Sequence, residues 1–243
     1  MRMLTFANRN AKEFIRDPLN IVFSLGFPLV LLVLLSAIQA NIPVPLFEIQ
    51  HLTPGITVFG LSFMTLFSAT IISRDRNSSL LQRLYTTPLT PLDFILGYTL
   101  PILPIALAQC AVCYVLALML GLPLSVNILY AIISIIPVSL LFIALGLLFG
   151  SILNDKQVGG ICGALLTNLC AWLSGVWFDL ELVGGAFKKV AYALPFVHAV
   201  EMERAVLCGN FDGILLHISW VLIYALGAFV IAVLLFLRQM KRQ

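Results

Sequence analysis

Residues 73–94 read SRDRNSSLLQRLYTTPLTPLDF. They place Arg74, Arg76 and Arg83 between two uncharged runs, PGITVFGLSFMTLFSATII and ILGYTLPILPIALAQCAVCYVLALML. A charged side chain at the centre of a membrane helix costs roughly 2.5–3.5 kcal/mol. The chain therefore leaves an apolar environment here for about twenty residues and then returns to it.

The rest of the sequence agrees. Of 243 residues, 61% are hydrophobic and 10% charged, against roughly 25% charged in a soluble domain. Mean hydropathy is +1.06. About 20 apolar residues cross a bilayer core, and six stretches qualify: 19–40, 54–73, 94–120, 128–151, 158–178 and 214–237. Their length and lack of alternation predict helices and exclude barrel strands. The expected fold class is an all-α integral membrane protein, one domain over 1–243. The first stretch is too long for a signal peptide, and Ile38 is not small enough for position −3 of a cut after Ala40.

With six spans both termini share one side. That side holds Arg2, Arg9, Lys12, Arg16, Arg74, Arg76, Arg83, Lys156, Arg238, Lys241 and Arg242; the other holds Lys188, Lys189 and Arg204. The positive-inside rule puts both termini, and residues 73–94, in the cytoplasm. The net charge of +3 is then a topology signal and does not call for nucleic acid. Glu48, Asp179, Glu181, Glu201, Glu203 and Asp212 fall outside.

Within the opening stretch, Ser79 and Gln82 fit a capping box. Leu80 with Leu84 and Leu81 with Tyr85 then make one apolar face. Pro88 forces Thr87 out of the helical region. A short amphipathic helix over about 77–87 is expected on the membrane surface, either pinned to anionic headgroups or docked on a partner. Residues 1–18, with Phe6 and Phe14 among Arg2, Arg9, Lys12 and Arg16, predict an interfacial helix; a plain basic anchor is the alternative. Residues 179–213 are too long for a bare loop. They predict two short helices over about 184–209, the second opened by Pro195 and stopped by Gly209, as a re-entrant or interfacial pair.

Gly146 with Gly150, and Gly159 with Gly163, form two GxxxG patterns that permit close helix contact. Phe59, Phe63 and Phe67 repeat at every fourth residue beside Ser62, Thr65 and Ser68; Thr167, Asn168 and Ser174 add polarity to the fifth stretch. These residues are candidates for an amphipathic substrate path, the alternative being helix packing and lipid contact. Cys110, Cys113, Cys162 and Cys170 read as small hydrophobes; Cys208 has no evident partner. There is no GxxxxGK[ST], HExxH or GxSxG. His198, Glu201 and Arg204 share a helical face, as a polar outer gate or, less simply, an acid–base site; Glu201 and Arg204 are expected to pair. No metal site and no cofactor of the chain's own is expected.

RNSSLLQRLYTTPLTPLDFILG (76–97) resembles the segment after the second span of ABC-2 type transporter permeases. LTPGI (52–56), FIALGLLFGSILND (142–155), LSGVWFDLELV (173–183) and ALPFVHAVEMERAVLCG (193–209) resemble that family's further motifs, in order. Asp75 and Gln82 stand where many members carry glutamates, and Asp179 where a proline is common. The resemblance implies a permease subunit of an ABC exporter in the plasma membrane of a bacterium. A separate ABC ATPase subunit would bind ATP and Mg. A second permease copy, or a sister permease, would complete the path. The 77–87 helix would couple to the ATPase through Leu80, Leu81, Leu84 and Tyr85, with Arg74, Asp75, Arg76, Gln82, Arg83 and Pro88 around them. A drug-, peptide- or lipid-like substrate is expected. The alternatives are a stand-alone secondary transporter or channel, disfavoured by the uncharged spans, and a membrane enzyme using His198 and Glu201.

Overall fold

The computed structural model describes residues 2–44, 46–78 and 90–240. The described residues form helices and their connections, with no strand among them. Of the expected 77–87 helix, Asn77 instead ends the long preceding helix and Ser78 follows in extended conformation; residues 79–87 lie outside the described residues. The elements are α1 (Arg2–Arg16), α2 (Pro18–Gln39), α3 (Ile49–Asn77), α4 (Pro91–Met119), α5 (Asn127–Ile152), α6 (155–173), α7 (Leu180–Val183), α8 (Gly185–Ala193), α9 (Pro195–Cys208) and α10 (Ile214–Met240).

Five of these, α2, α3, α4, α5 and α10, are long and apolar enough to cross a membrane. The chain is a multi-pass membrane protein. The fifth expected stretch, 158–178, differs from the other five. Asn154 caps its start with a reciprocal bond to Gln157, so the helix begins at Asp155, before the expected 158. It widens into a π turn over Gly159–Leu166 and ends at Leu173, leaving Trp177 and Phe178 beyond it. The Thr167 hydroxyl donates to the Cys162 carbonyl five residues back, at 3.0 Å, in keeping with the π spacing. A second π turn, Val22–Gly26 in α2, precedes Pro28, whose ring conflicts with the carbonyl four residues earlier in a regular helix.

Boundaries elsewhere shift for local reasons. α3 runs past the expected 54–73 to Asn77 because Arg74, Asp75 and Arg76 all find partners on neighbouring elements. α4 starts at Pro91 rather than Phe94. Thr90 caps it in a reciprocal pair with Asp93, and Pro91 takes the first helical position, where no N–H is needed.

α3 is the centre of the bundle. It is 89% buried across its most apolar window, against 22% for α2 and 28% for α10. Its closest neighbour is α5, through Gly146 and Gly150. A Cβ on Gly146 would overlap Ser68 Cβ; one on Gly150 would come within 2.9 Å of the Ala69 backbone. Apolar tails solvate helices as well as other helices do, so such close backbone contact is a main source of association in lipid. The second GxxxG pattern is looser. A Cβ on Gly159 would meet nothing within 4 Å, and one on Gly163 would reach Leu66 at 3.3 Å.

The apolar face of α1, expected to lie in the interface, is packed on protein. Phe6 sits edge-on to Phe94 and Tyr98, and Phe14 edge-on to Phe67. Gly97 makes the notch for Phe6, whose ring a Cβ there would overlap.

Candidate functional site

At the end of the bundle where α1, the last turn of α3 and the first turns of α4 meet, polar groups form a closed set. Asp75 is 2% exposed. Arg9 Nη2 donates to Asp75 Oδ1 at 2.6 Å and its Nη1 donates to Oδ2, a fork-on-carboxylate arrangement. The Tyr98 hydroxyl donates to Oδ2 at 2.9 Å. Glu13 pairs with Arg9 at 2.7 Å, and partial burial pushes its carboxyl above the ordinary range. Beside them Asn10 Nδ2 donates to the Gly97 carbonyl at 3.0 Å. Pro101, four residues on, has no N–H to offer that carbonyl, so α1 satisfies an acceptor that α4 cannot.

Of the coupling residues expected from sequence, Arg74, Asp75 and Arg76 are described; Leu80, Leu81, Gln82, Arg83, Leu84, Tyr85 and Pro88 lie outside the described residues. Asp75 grips α1. Arg76 donates to the Ser151 carbonyl and, at 2.6 Å, to that of Leu153, covering carbonyls that the end of α5 leaves without helical donors. Arg74 lies 3.7 Å from both Asp17 and Asp155 and stays half exposed. The three thus fix the position from which residues 79–89 depart. An open groove on the polar side of α1, lined by Asn8, Lys12, Glu13, Arg16 and Asp17, adjoins it.

The aromatic stripe exists as a run of rings. Phe59–Phe63 and Phe63–Phe67 centroids lie 5.8 and 6.5 Å apart. Trp177 extends the run at one end and Phe14 at the other. Phe23 and Phe27 of α2 cover it, and all three stripe residues are buried. Ser62 bonds the Phe59 carbonyl at 2.6 Å, Thr65 the Phe142 carbonyl at 2.8 Å, and Ser68 faces Gly146. In the single chain these positions are helix contacts. Thr167 and Ser174 are likewise buried. Asn168 is exposed, on one face of α6 with Gly160, Ala164 and Trp172.

At the opposite end α9 begins at Pro195, and Gly209 closes it in the left-handed conformation (φ 73°). Arg204 pairs with Glu201 at 2.9 Å and also donates to the carbonyls of Gly175 (2.9 Å) and His51 (3.3 Å). It thereby ties α9 to the end of α6 and the start of α3. His198 does not turn to Glu201. Its Nδ1 meets His217 Nδ1 at 2.9 Å, its Nε2 meets the Tyr192 carbonyl at 3.0 Å, and its ring stacks on Trp220. A carbonyl only accepts, so His198 Nε2 donates to Tyr192, and the ring pairs with His217 rather than with Glu201.

Sequence reading missed Arg9, Asn10, Tyr98 and His217 as partners, and Glu203 as a buried group. Only Asn10 had a signal, in the proline that strips Gly97 of its donor.

Two comparisons bear on identity. Nodulation protein J of Rhizobium leguminosarum bv. viciae is 26% identical over 129 residues, 53% of this chain and 50% of that protein. The chain thus spans about half the length of that curated relative. The family model for the ABC-2 type transporter matches residues 2–208, from α1 through the end of α9. This chain belongs to the ABC-2 type transporter family.

Proposed function

We propose that this chain is the permease subunit of an ATP-driven exporter. The observation that carries the reading is the family match across 2–208 on a bundle of membrane-crossing helices. No P-loop occurs in the 243 residues; in this reading a partner ATPase binds ATP and Mg. In this reading the arginine-rich end of α3 faces the cytoplasm, as do both termini, in the plasma membrane. The segment 77–87 couples to the ATPase, through Leu80, Leu81, Leu84 and Tyr85, with Arg83 matching its charge. Arg74, Asp75 and Arg76 hold the root of that segment in place, and the groove on α1 offers a second contact.

A second copy of the chain covers the exposed face of α6. Gly160 and Ala164 allow close approach there, and Asn168, costly against lipid, gains a polar surrounding. The substrate path then runs along this face, with Asn168 the one residue of the expected lining whose side chain is exposed. Helices α8 and α9 close its outer end through Arg204. An amphipathic substrate fits walls of this kind.

The test is gentle purification of the chain with whatever accompanies it. The reading expects a P-loop ATPase at one-to-one stoichiometry, lost in Leu84→Asp and Arg83→Glu while the chain stays folded. A monodisperse chain that transports alone would refute it.

A further inference from the structure

Helix α9 carries a carboxyl with no part in the network around Arg204. Glu203 is 0% exposed. Its Oε1 lies 2.7 Å from Ser134 Oγ of α5, and its Oε2 3.5 Å from the Tyr114 hydroxyl of α4. Ser134 Oγ also lies 2.9 Å from the Ala131 carbonyl. Among the described residues no cation pairs with Glu203, and Arg204 is turned to Glu201, Gly175 and His51. The titratable groups facing it are Tyr114 and Cys110, both of α4. From α5 it meets the Ser134 hydroxyl, and His217 of α10 lies beside His198 instead.

A hydroxyl has one proton to give, yet Ser134 sits between two oxygens. The Ala131 carbonyl can only accept. If Ser134 donates to it, the 2.7 Å contact with Glu203 needs a proton from the carboxyl. An ionised Glu203 would be a full charge without a counterion in the interior, held by one short and one long hydroxyl contact, which is a costly arrangement. The protonated acid uses every contact: Glu203 donates to Ser134, Ser134 to Ala131, and Tyr114 to the second carboxyl oxygen.

We infer that Glu203 is a proton-holding site, a neutral carboxylic acid at neutral pH whose proton fastens α9 onto α4 and α5. Burial acts in the same direction and outweighs the lowering that donation from Ser134 and Tyr114 to an ionised carboxylate would bring, leaving the carboxyl pushed up to about 8. The group is more easily protonated in the docked state than in the unfolded chain. Its stabilisation is complete below the ordinary carboxylate range, near 4.3, and is lost as pH rises through about 8. The docking of α9 is therefore sensitive to alkaline conditions.

The test is infrared spectroscopy of the full chain in lipid from pH 5 to 10, for wild type and Glu203→Gln. A C=O stretch from a protonated carboxyl should be present at pH 7, fade around pH 8 and be missing in the glutamine variant. Thermal stability should fall between pH 6 and pH 9 in wild type and fall less in Glu203→Gln, whose amide reproduces the neutral acid. Should that variant fail to fold, Ser134→Ala should shift the band in an otherwise native chain. A spectrum without that band at pH 7, an unshifted band in Ser134→Ala, or identical pH dependence in wild type and Glu203→Gln would overturn the assignment.

Discussion

Arg9 and Asp75 are 66 positions apart in the chain and meet through two parallel hydrogen bonds, with Tyr98 closing the third side. The pair fixes α1 to the last turn of α3, where the chain leaves for residues 79–89. Asp75→Ala removes the buried partner, and Arg9 can still reach water and Glu13. The expected loss is about 1–3 kcal/mol, below the 3–5 typical of breaking a wholly buried pair. A double-mutant cycle with Arg9→Ala, read by thermal unfolding in detergent, should return a coupling of at least about 0.5 kcal/mol. Additive losses would show that the two residues do not act together.

Asn10→Ala should cost about 1–3 kcal/mol by stranding the Gly97 carbonyl. In a Pro101→Ala background the helix supplies its own N–H, and the same change should cost clearly less. An equal loss in both backgrounds would mean that Asn10 contributes something other than this bond.

The two glycine pairs should respond in opposite ways. Gly146→Val forces a side chain into Ser68 and the Thr65 carbonyl and should destabilise by roughly 1–3 kcal/mol or more. Gly159→Ala has open space and should stay within about 0.5 kcal/mol of wild type. Melting temperatures of both variants decide this, and a tolerated Gly146→Val would remove the close contact from the account.

Arg204→Lys should behave as a loss variant. One ammonium cannot reproduce the guanidinium's simultaneous reach to Glu201, Gly175 and His51. Limited proteolysis near residues 209–213 should speed up in Arg204→Lys and Arg204→Ala alike. Protection retained in the lysine variant would reduce Arg204 to its pair with Glu201.

Long uncharged runs made the bundle legible, because hydrocarbon imposes the same demand on every crossing segment. Pro195 and Gly209 marked α9 for equally local reasons: proline fixes φ at a value the first helical turn accepts, and glycine alone takes the positive φ that closes the helix without cost. The break in 158–178 was less legible, since a π turn leaves the hydropathy of a helix unchanged. Asp75 and Glu203 were hardest. As letters they are acids near polar segments, and their burial depends on Arg9, Tyr98, Tyr114 and Ser134, which the fold supplies from distant positions. The serine and threonine row on α3 shows the same limit: its spacing is that of a path lining, and the glycines of α5 make it a contact face.

The unequal burial of the long helices has a practical consequence. α3, almost wholly enclosed by its neighbours, carries its environment with it, so exchanging one detergent for another should leave it unmoved. α2 and α10 owe most of their surroundings to whatever solvates the protein. For those two helices the bilayer is a structural component, and its thickness belongs among the variables that set the protein's working shape.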